Sequence, residues 1–466
     1  MSQTINTIIR DRARITPDRA ALVEGDRTWT FAELEKRSDE LAAGLGHGER
    51  VSTLTGNTGE HVALMFACAK AGAILHPISW RLAPAEIAYQ LDDAEPSRFV
   101  VEDEYRALGD EALALAKPLQ SRSRSETDCR VRADDPLLLI YTSGTTGRPK
   151  GALLTHANCF WTNLSFDLAT GVRPDDVVLQ VLPQFHCGGW NVQPLLAWWK
   201  GAKVVLERGF EAERALELIE HERVTTMMGV PANYLFMAQA PGFEDADLSS
   251  LRLAVVGGAP MPEALLGVWA ARGVDIVQGY GLTEAAPNVL CLAPEDARRK
   301  AGYAGKPYPY VECDLSDEAE LLVRGPNVFP GYWRNDEATV AAFRDGWLLT
   351  GDIAERDDEG NYRILGRLKD MVVSGGENVY PAEIEAVLHE HSAVTDAAVV
   401  GIPDERWGEV CAAFVVLSTP VSEDELREHC RSRLARFKVP KTFTVVDSLP
   451  RNSMGKIQKS ELTVHA

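Results

Sequence analysis

The segment YTSGTTGRPKG, residues 141–151, decides how the rest of this chain is read. It sets five hydroxyl side chains, three glycines and two cations between two apolar runs, PLLLI at 136–140 and ALLTH at 152–156. Short apolar runs bounded by turn residues read as buried strands. Glycines let backbone N–H groups close around a ligand, and the hydroxyls, Arg148 and Lys150 add donors and positive charge. The combination suits a polyphosphate. A Gly/Ser/Thr cluster is by itself ordinary turn chemistry; its place between two strands sets this one apart. It is not a P-loop, which needs G-x-x-x-x-G-K-[ST] running from strand into helix. Here Gly144 and Gly147 stand too close together, and Lys150 is followed by glycine.

The surrounding chain narrows the function. Its 466 residues exceed one ordinary core, so two or more domains are expected. Apolar residues make up 45% and charged residues 25%, the balance of a soluble globular protein. A formal charge of −20 argues against nucleic acid or an anionic membrane as the main partner, so an anionic substrate must be met by local cations. The eight cysteines are scattered without a C-x-x-C pair, which argues against a disulfide framework or a zinc site and fits a reducing cytoplasm. The start, MSQTINTIIRDRARITPD, carries charges within its apolar stretch and does not read as a signal peptide. The apolar stretch at 62–77 is interrupted by Lys70 and is too short for a membrane span. A cytoplasmic monomer or homodimer is expected.

Helix-like and strand-like segments alternate over the first 350 or so residues. TFAELEKRSDELAAGL (30–45) has helical spacing, with Thr30 and Glu33 placed for a capping box. KVVLERG, VTTMMGVP, LRLAVVGGAP and VDIVQGYG are short β-branched runs ending in Gly or Pro, separated by helical stretches such as EAERALELIEHER. This alternation predicts an α/β fold: parallel sheets flanked by helices, with ligands at the strand ends. Turn residues then punctuate short strands from ELLVRGP (320–326) to NYRILGR (361–367), a β-rich subdomain. From about 370 a compact α+β unit begins, in which Pro381 opens the helical stretch PAEIEAVLHEH and a second capping box is expected at Ser422 and Glu425. The expected division is an N-terminal domain at 1–367 and a C-terminal domain at 368–466.

Further motifs line up with the opening loop: GGAPMP (257–262), QGYGLTEA (278–285), TGDIA (350–354), GRLKD (366–370) and LPRNSMGKIQK (449–459). In this order and spacing, over nearly the whole chain, they resemble the adenylate-forming enzymes, which include acyl-CoA synthetases, luciferases and adenylation domains; the look is nearest to fatty acyl-CoA synthetases. The resemblance implies a large body and a small mobile C-terminal lid.

It also implies roles. Thr142, Ser143, Gly144, Thr145, Thr146, Gly147 and Lys150 would wrap the β- and γ-phosphates of ATP. Gly258, Ala259 and Pro260 would face Tyr280 across the adenine, with Gln278, Gly279 and Gly281 completing that wall. Thr283 would bond the α-phosphate and Glu284 would hold Mg²⁺, a hard cation suited to oxygen ligands. Asp352, aided by Arg367, would accept the ribose hydroxyls. Lys456 would meet the charge that builds as a carboxylate attacks the α-phosphate. Lys369 matches the hinge, and Gly375 and Gly376 would line the pantetheine passage of coenzyme A.

The acid is expected to be a fatty acid of medium or long chain. Amino-acid-activating members carry an aspartate where this chain has FHCGGW (185–190). His186 matches a position that gates the acyl site, Trp190 one that closes a fatty-acyl tunnel, and Val230 and Tyr234 would add apolar wall. Three alternatives stand beside this reading: an aryl or short branched acid, a carrier-protein pantetheine in place of free coenzyme A, or a non-catalytic nucleotide-binding scaffold.

Overall fold

A computed structural model describes residues 3–119, 130–142, 148–374, 377–404, 406–451 and 457–462. The expected α/β architecture is observed, as four sheets with helices packed on them. The largest sheet has nine strands. Its centre is parallel, running Ile276–Gly281, Leu253–Val256, Thr226–Gly229, Val177–Gln180, Lys203–Leu206 and Ala20–Glu24. Short antiparallel strands flank it. The β-branched runs singled out in the sequence are these central strands, buried on both faces as parallel strands must be.

A second, six-stranded sheet contains Pro136–Thr142 and its antiparallel return Lys150–Thr155, beside the parallel strands Ile74–Pro77, Arg50–Leu54 and Arg98–Val101. Between the two sheets lies the main core. The helix Gly59–Ala71 runs through it with ten of its thirteen residues buried. A helix apolar on every side is stable only when packed all round, which accounts for the apolar stretch that is too short for a membrane span. No helix among the described residues is long and apolar enough to cross a membrane.

A five-stranded antiparallel sheet follows, built on the hairpin of Trp347–Arg356 with Tyr362–Arg367. The last sheet, Val372–Ser374, Glu377–Val379, Val394–Asp404, Gly408–Leu417 and Thr442–Val445, closes a separate small core with the helices Pro381–His389 and Glu423–Arg431. The first capping box forms as expected: Thr30 Oγ1 accepts from Glu33 N and the Glu33 carboxylate accepts from Thr30 N. The second forms by half. Ser422 Oγ accepts from Glu425 N, but Glu425 turns away toward His391.

Candidate nucleotide and acyl site

Two strand ends meet at the turn expected to hold phosphates. Thr142 and Lys150 are register partners at the mouth of the turn, while Ser143, Gly144, Thr145, Thr146 and Gly147 lie outside the described residues. The base of the turn is pinned on both sides: Tyr141 donates its hydroxyl to Asp93 at 2.6 Å, and Tyr89 donates to the Pro149 carbonyl at 3.1 Å. From the large sheet, Ile276–Gly281 leads into a single helical turn, Thr283–Ala285. That exit demands glycine at 281, since a Cβ there would sit 1.8 Å from the Pro287 carbonyl oxygen. The turn delivers Glu284 to the phosphate loop, where Thr142 Oγ1 donates to Glu284 Oε1 at 3.4 Å.

On the other side of the same strand end lies a polar cluster. Gly258, Ala259 and Pro260 are exposed beyond Leu253–Val256, whose last residue pairs with Gln278. Gly258 has φ +82°, and a Cβ there would stand 3.4 Å from Val230 Cγ1, so Val230 borders this opening. Tyr280 donates its hydroxyl to Asp352 Oδ2 at 2.6 Å, and Arg367 Nε lies 3.3 Å from Asp352 Oδ1. Asp352 and Arg367 are cross-strand partners in the third sheet, so the pair is set by register. Burial, then the Asp352 charge, push the Tyr280 phenol far above its ordinary pKa, so it stays a donor. Gln278 is buried and its amide donates to the Tyr303 carbonyl; Gly279 pairs across to Cys291.

The segment expected to shape the acyl site forms two short helices, Gly188–Asn191 and Pro194–Lys200. His186 precedes them. Burial, with Arg81 adding to the effect, lowers its pKa to about 4, so the ring is neutral at pH 7. Its Nε2 is buried and has no hydrogen-bond partner among the described residues. Cys187 Sγ lies 3.5 Å from Thr283 Oγ1, and burial raises the thiol to about 11, keeping its proton on the sulfur. Sequence reading missed this contact, because nothing in FHCGGW marks the thiol as facing the threonine.

Trp190 and Tyr234 were expected to line the acyl path. Both are fully buried, Trp190 in the main core and Tyr234 in the core on the other face of the large sheet. The Trp190 indole N–H donates to the Gln184 carbonyl at 2.6 Å and its ring meets His61 edge-on; Tyr234 donates to the Val255 carbonyl at 2.8 Å. Neither ring is open to solvent. Trp190→Ala should therefore lower stability by about 3–5 kcal/mol, the cost of an emptied aromatic site. Urea unfolding would measure it. The ranking of acids by kcat/KM should stay as in the wild type, and a shift toward longer acids would restore the tunnel role.

Lys369 is exposed in the turn Leu368–Asp370, between the third and fourth sheets. Gly375, Gly376 and Lys456 lie outside the described residues.

Against known proteins, residues 9–333 match the AMP-binding enzyme family and residues 383–456 the AMP-binding enzyme C-terminal domain. The chain is 40% identical to a feruloyl-CoA synthase from Amycolatopsis sp, covering 97% of this chain and 96% of the relative. It is 38% identical to the long-chain-fatty-acid–CoA ligase FadD13 of Mycobacterium tuberculosis, covering 99% and 98%. Its fold is similar to that of o-succinylbenzoate coenzyme A synthetase from Bacillus subtilis in complex with ATP and magnesium ion: TM-score 0.88, 33% identity, 98% of this chain and 99% of that one.

Proposed function

The chain belongs to the AMP-binding enzyme family, and from that premise we propose that it is an AMP-forming acid–thiol ligase. A carboxylate attacks the α-phosphorus of ATP, giving an acyl adenylate and pyrophosphate. The thiol of coenzyme A then attacks the acyl carbon, giving a thioester, AMP and a proton. The observation that carries this reading is the convergence of two sets at one strand end: Thr142 with Glu284 on one side, Tyr280 with Asp352 and Arg367 on the other. The first set suits phosphates, the second a base and a ribose diol.

Each residue has work that its chemistry fits. Lys150 and the loop N–H groups neutralise and orient the β- and γ-phosphates. Thr283 donates to the α-phosphate, its hydroxyl steadied by the Cys187 thiol. No group of three or more His, Cys, Asp or Glu side chains is poised around a metal among the described residues. A single carboxylate is what Mg²⁺ uses when phosphate oxygens and water complete its octahedron, so Glu284 fits as its protein ligand. Bound there, Mg²⁺ would supply charge screening of the phosphates. Lys456 meets the developing charge, and 368–466 acts as a mobile lid that turns about Lys369 to present Gly375 and Gly376 to the pantetheine arm.

For the acid, Trp190 closing a tunnel was one part of the case for a long fatty chain, beside His186 and the apolar wall of Val230 and Tyr234. With that ring sealed in the core, aryl acids move ahead of long-chain fatty acids. The neutral His186, with a buried unpaired ring nitrogen, offers a partner to a polar substituent that an alkyl chain lacks. Incubating the pure protein with ATP, MgCl₂, coenzyme A and a panel of hydroxycinnamic, benzoic and C6–C18 fatty acids tests this. Acid-dependent AMP and acyl-CoA, read by mass spectrometry, are expected, strongest with aryl acids. Thioester formed only on a carrier protein would move the acceptor, and ATP binding without AMP would leave a scaffold.

A further inference from the structure

The segment GPNVFPGYW, 325–333, was assigned no site residue from the sequence, yet it wraps the turn that carries Glu284. Phe329 N donates to the Glu284 carbonyl at 2.8 Å, and Asn327 Nδ2 donates to the Ala285 and Asn288 carbonyls at 3.0 and 2.9 Å. The same segment is anchored to the phosphate-loop strand. Gly331 and Tyr332 pair antiparallel with Leu153 and Ala152, and Trp333 N donates to the Gly151 carbonyl at 2.7 Å. Asn158, at the start of the next helix, holds the carbonyls of Pro326 and Val328. The backbone alone thus links the two halves of the phosphate site.

One side chain of this segment reaches both. Tyr332 donates its hydroxyl to Glu284 Oε1 at 2.8 Å, the oxygen that Thr142 also approaches. Lys150 Nζ stands 5.3 Å from the centroid of the same tyrosine ring, within cation–π range. We propose that Tyr332 is a positioning residue for the nucleotide chemistry: its hydroxyl fixes the Glu284 carboxylate for a phosphate-bound divalent cation, and its ring seats Lys150 beside it. This rests on reading Glu284 as the carboxylate that meets Mg²⁺·ATP. With Oε1 engaged by two hydroxyls, Oε2 is the oxygen left to the cation. Hydrogen bonds to a metal-binding carboxylate orient it, and losing one commonly costs ten- to a hundredfold in metal affinity.

The two functions of the side chain separate by substitution. Tyr332→Phe keeps the ring against Lys150 and removes the hydroxyl; Tyr332→Leu removes both. Binding of ATP to the full chain, without acid or coenzyme A, is measured by calorimetry in MgCl₂ and in EDTA, with thermal melts on each variant. For Tyr332→Phe, affinity should fall about tenfold in MgCl₂ and change less than about twofold in EDTA. Tyr332→Leu should lose affinity in both. Equal losses of Tyr332→Phe in MgCl₂ and EDTA, or wild-type affinity in both, would overturn the proposal while leaving the ligase reading intact. Wild-type protein that binds ATP no better with Mg²⁺ than in EDTA would overturn both.

Discussion

Lys456→Ala should abolish acyl-adenylate formation while leaving thiolysis of a supplied acyl adenylate close to the wild-type rate. The ammonium acts only where charge builds during carboxylate attack, and removing one such fixed donor typically costs about 10²–10³ in rate. Gly376→Trp should do the reverse, blocking the pantetheine arm but sparing the first release of pyrophosphate. The fold makes this separation physically reasonable. The two cores of the fourth sheet are built entirely from residues at 372 and beyond, such as Val372, Ile384, Val399, Val415 and Phe443, or Ala398, Phe414 and Leu449. The unit can therefore change position without opening a core on either side of Leu368–Asp370. A stopped-flow burst of pyrophosphate in the Gly376 variant, absent in the Lys456 variant, is the expected pair of traces. Bursts of equal size would mean that 368–466 is a fixed cap.

What the sequence made legible follows from what each signal measures. Period and β-branching report burial, so the parallel strands around Thr226–Gly229 and Leu253–Val256 were readable from apolar runs alone. Capping chemistry is local, which is why Thr30 and Glu33 behave as expected. Glu425 does not, because His391, distant in sequence, competes for its carboxylate. Asp352 and Arg367 were foreseen as a pair at the ribose and Tyr280 as a separate contact at the base, but the cohesion of the three depends on cross-strand register, and no single motif carries that. The burial of Trp190 was hidden for a related reason. Resemblance places a residue along the chain, whereas the inward turn of the Gly188–Asn191 helix decides whether its ring faces a ligand or the core. Tyr332 was invisible because GYW lies in a stretch whose own strand is two residues long. Its function comes from two elements, at 150–155 and 283–285, that meet only in the folded chain.

Acidification below pH 6.5 should unfold the protein before pH 4, ahead of most carboxylate titration. Four histidines are held neutral by burial: His61 at about 4, His76 at about 3, His156 at about 4 and His186 at about 4. For each, desolvation is the largest cause. Gln184 and Glu102 only partly offset it at His61, as Gln90 does at His76 and Asp135 at His156; Arg81 reinforces it at His186. The sign follows from linkage. In the unfolded chain these groups titrate near 6.5, so between about 6.5 and 4 the unfolded state binds more protons than the folded one, and stability falls as pH falls. Above 6.5 the contribution is complete and flat. A shift of about 2.5 units corresponds to roughly 3 kcal/mol for one group. Four such groups together approach the whole stability of a typical protein, about 5–15 kcal/mol. Geometry agrees at His156, whose Nδ1 accepts from Ile5 N at 3.4 Å and whose buried Nε2 has no partner among the described residues. A second proton would remove that acceptor and leave a charge in the main core. Melts followed by circular dichroism from pH 8 to 4 should give a Tm that is level above pH 7 and drops steeply below 6.5. His156→Phe, which removes one titrating group, should shallow the drop. A Tm level down to pH 4.5 would mean that these rings admit protons without unfolding, and the neutral His186 of the acyl site would lose its physical basis.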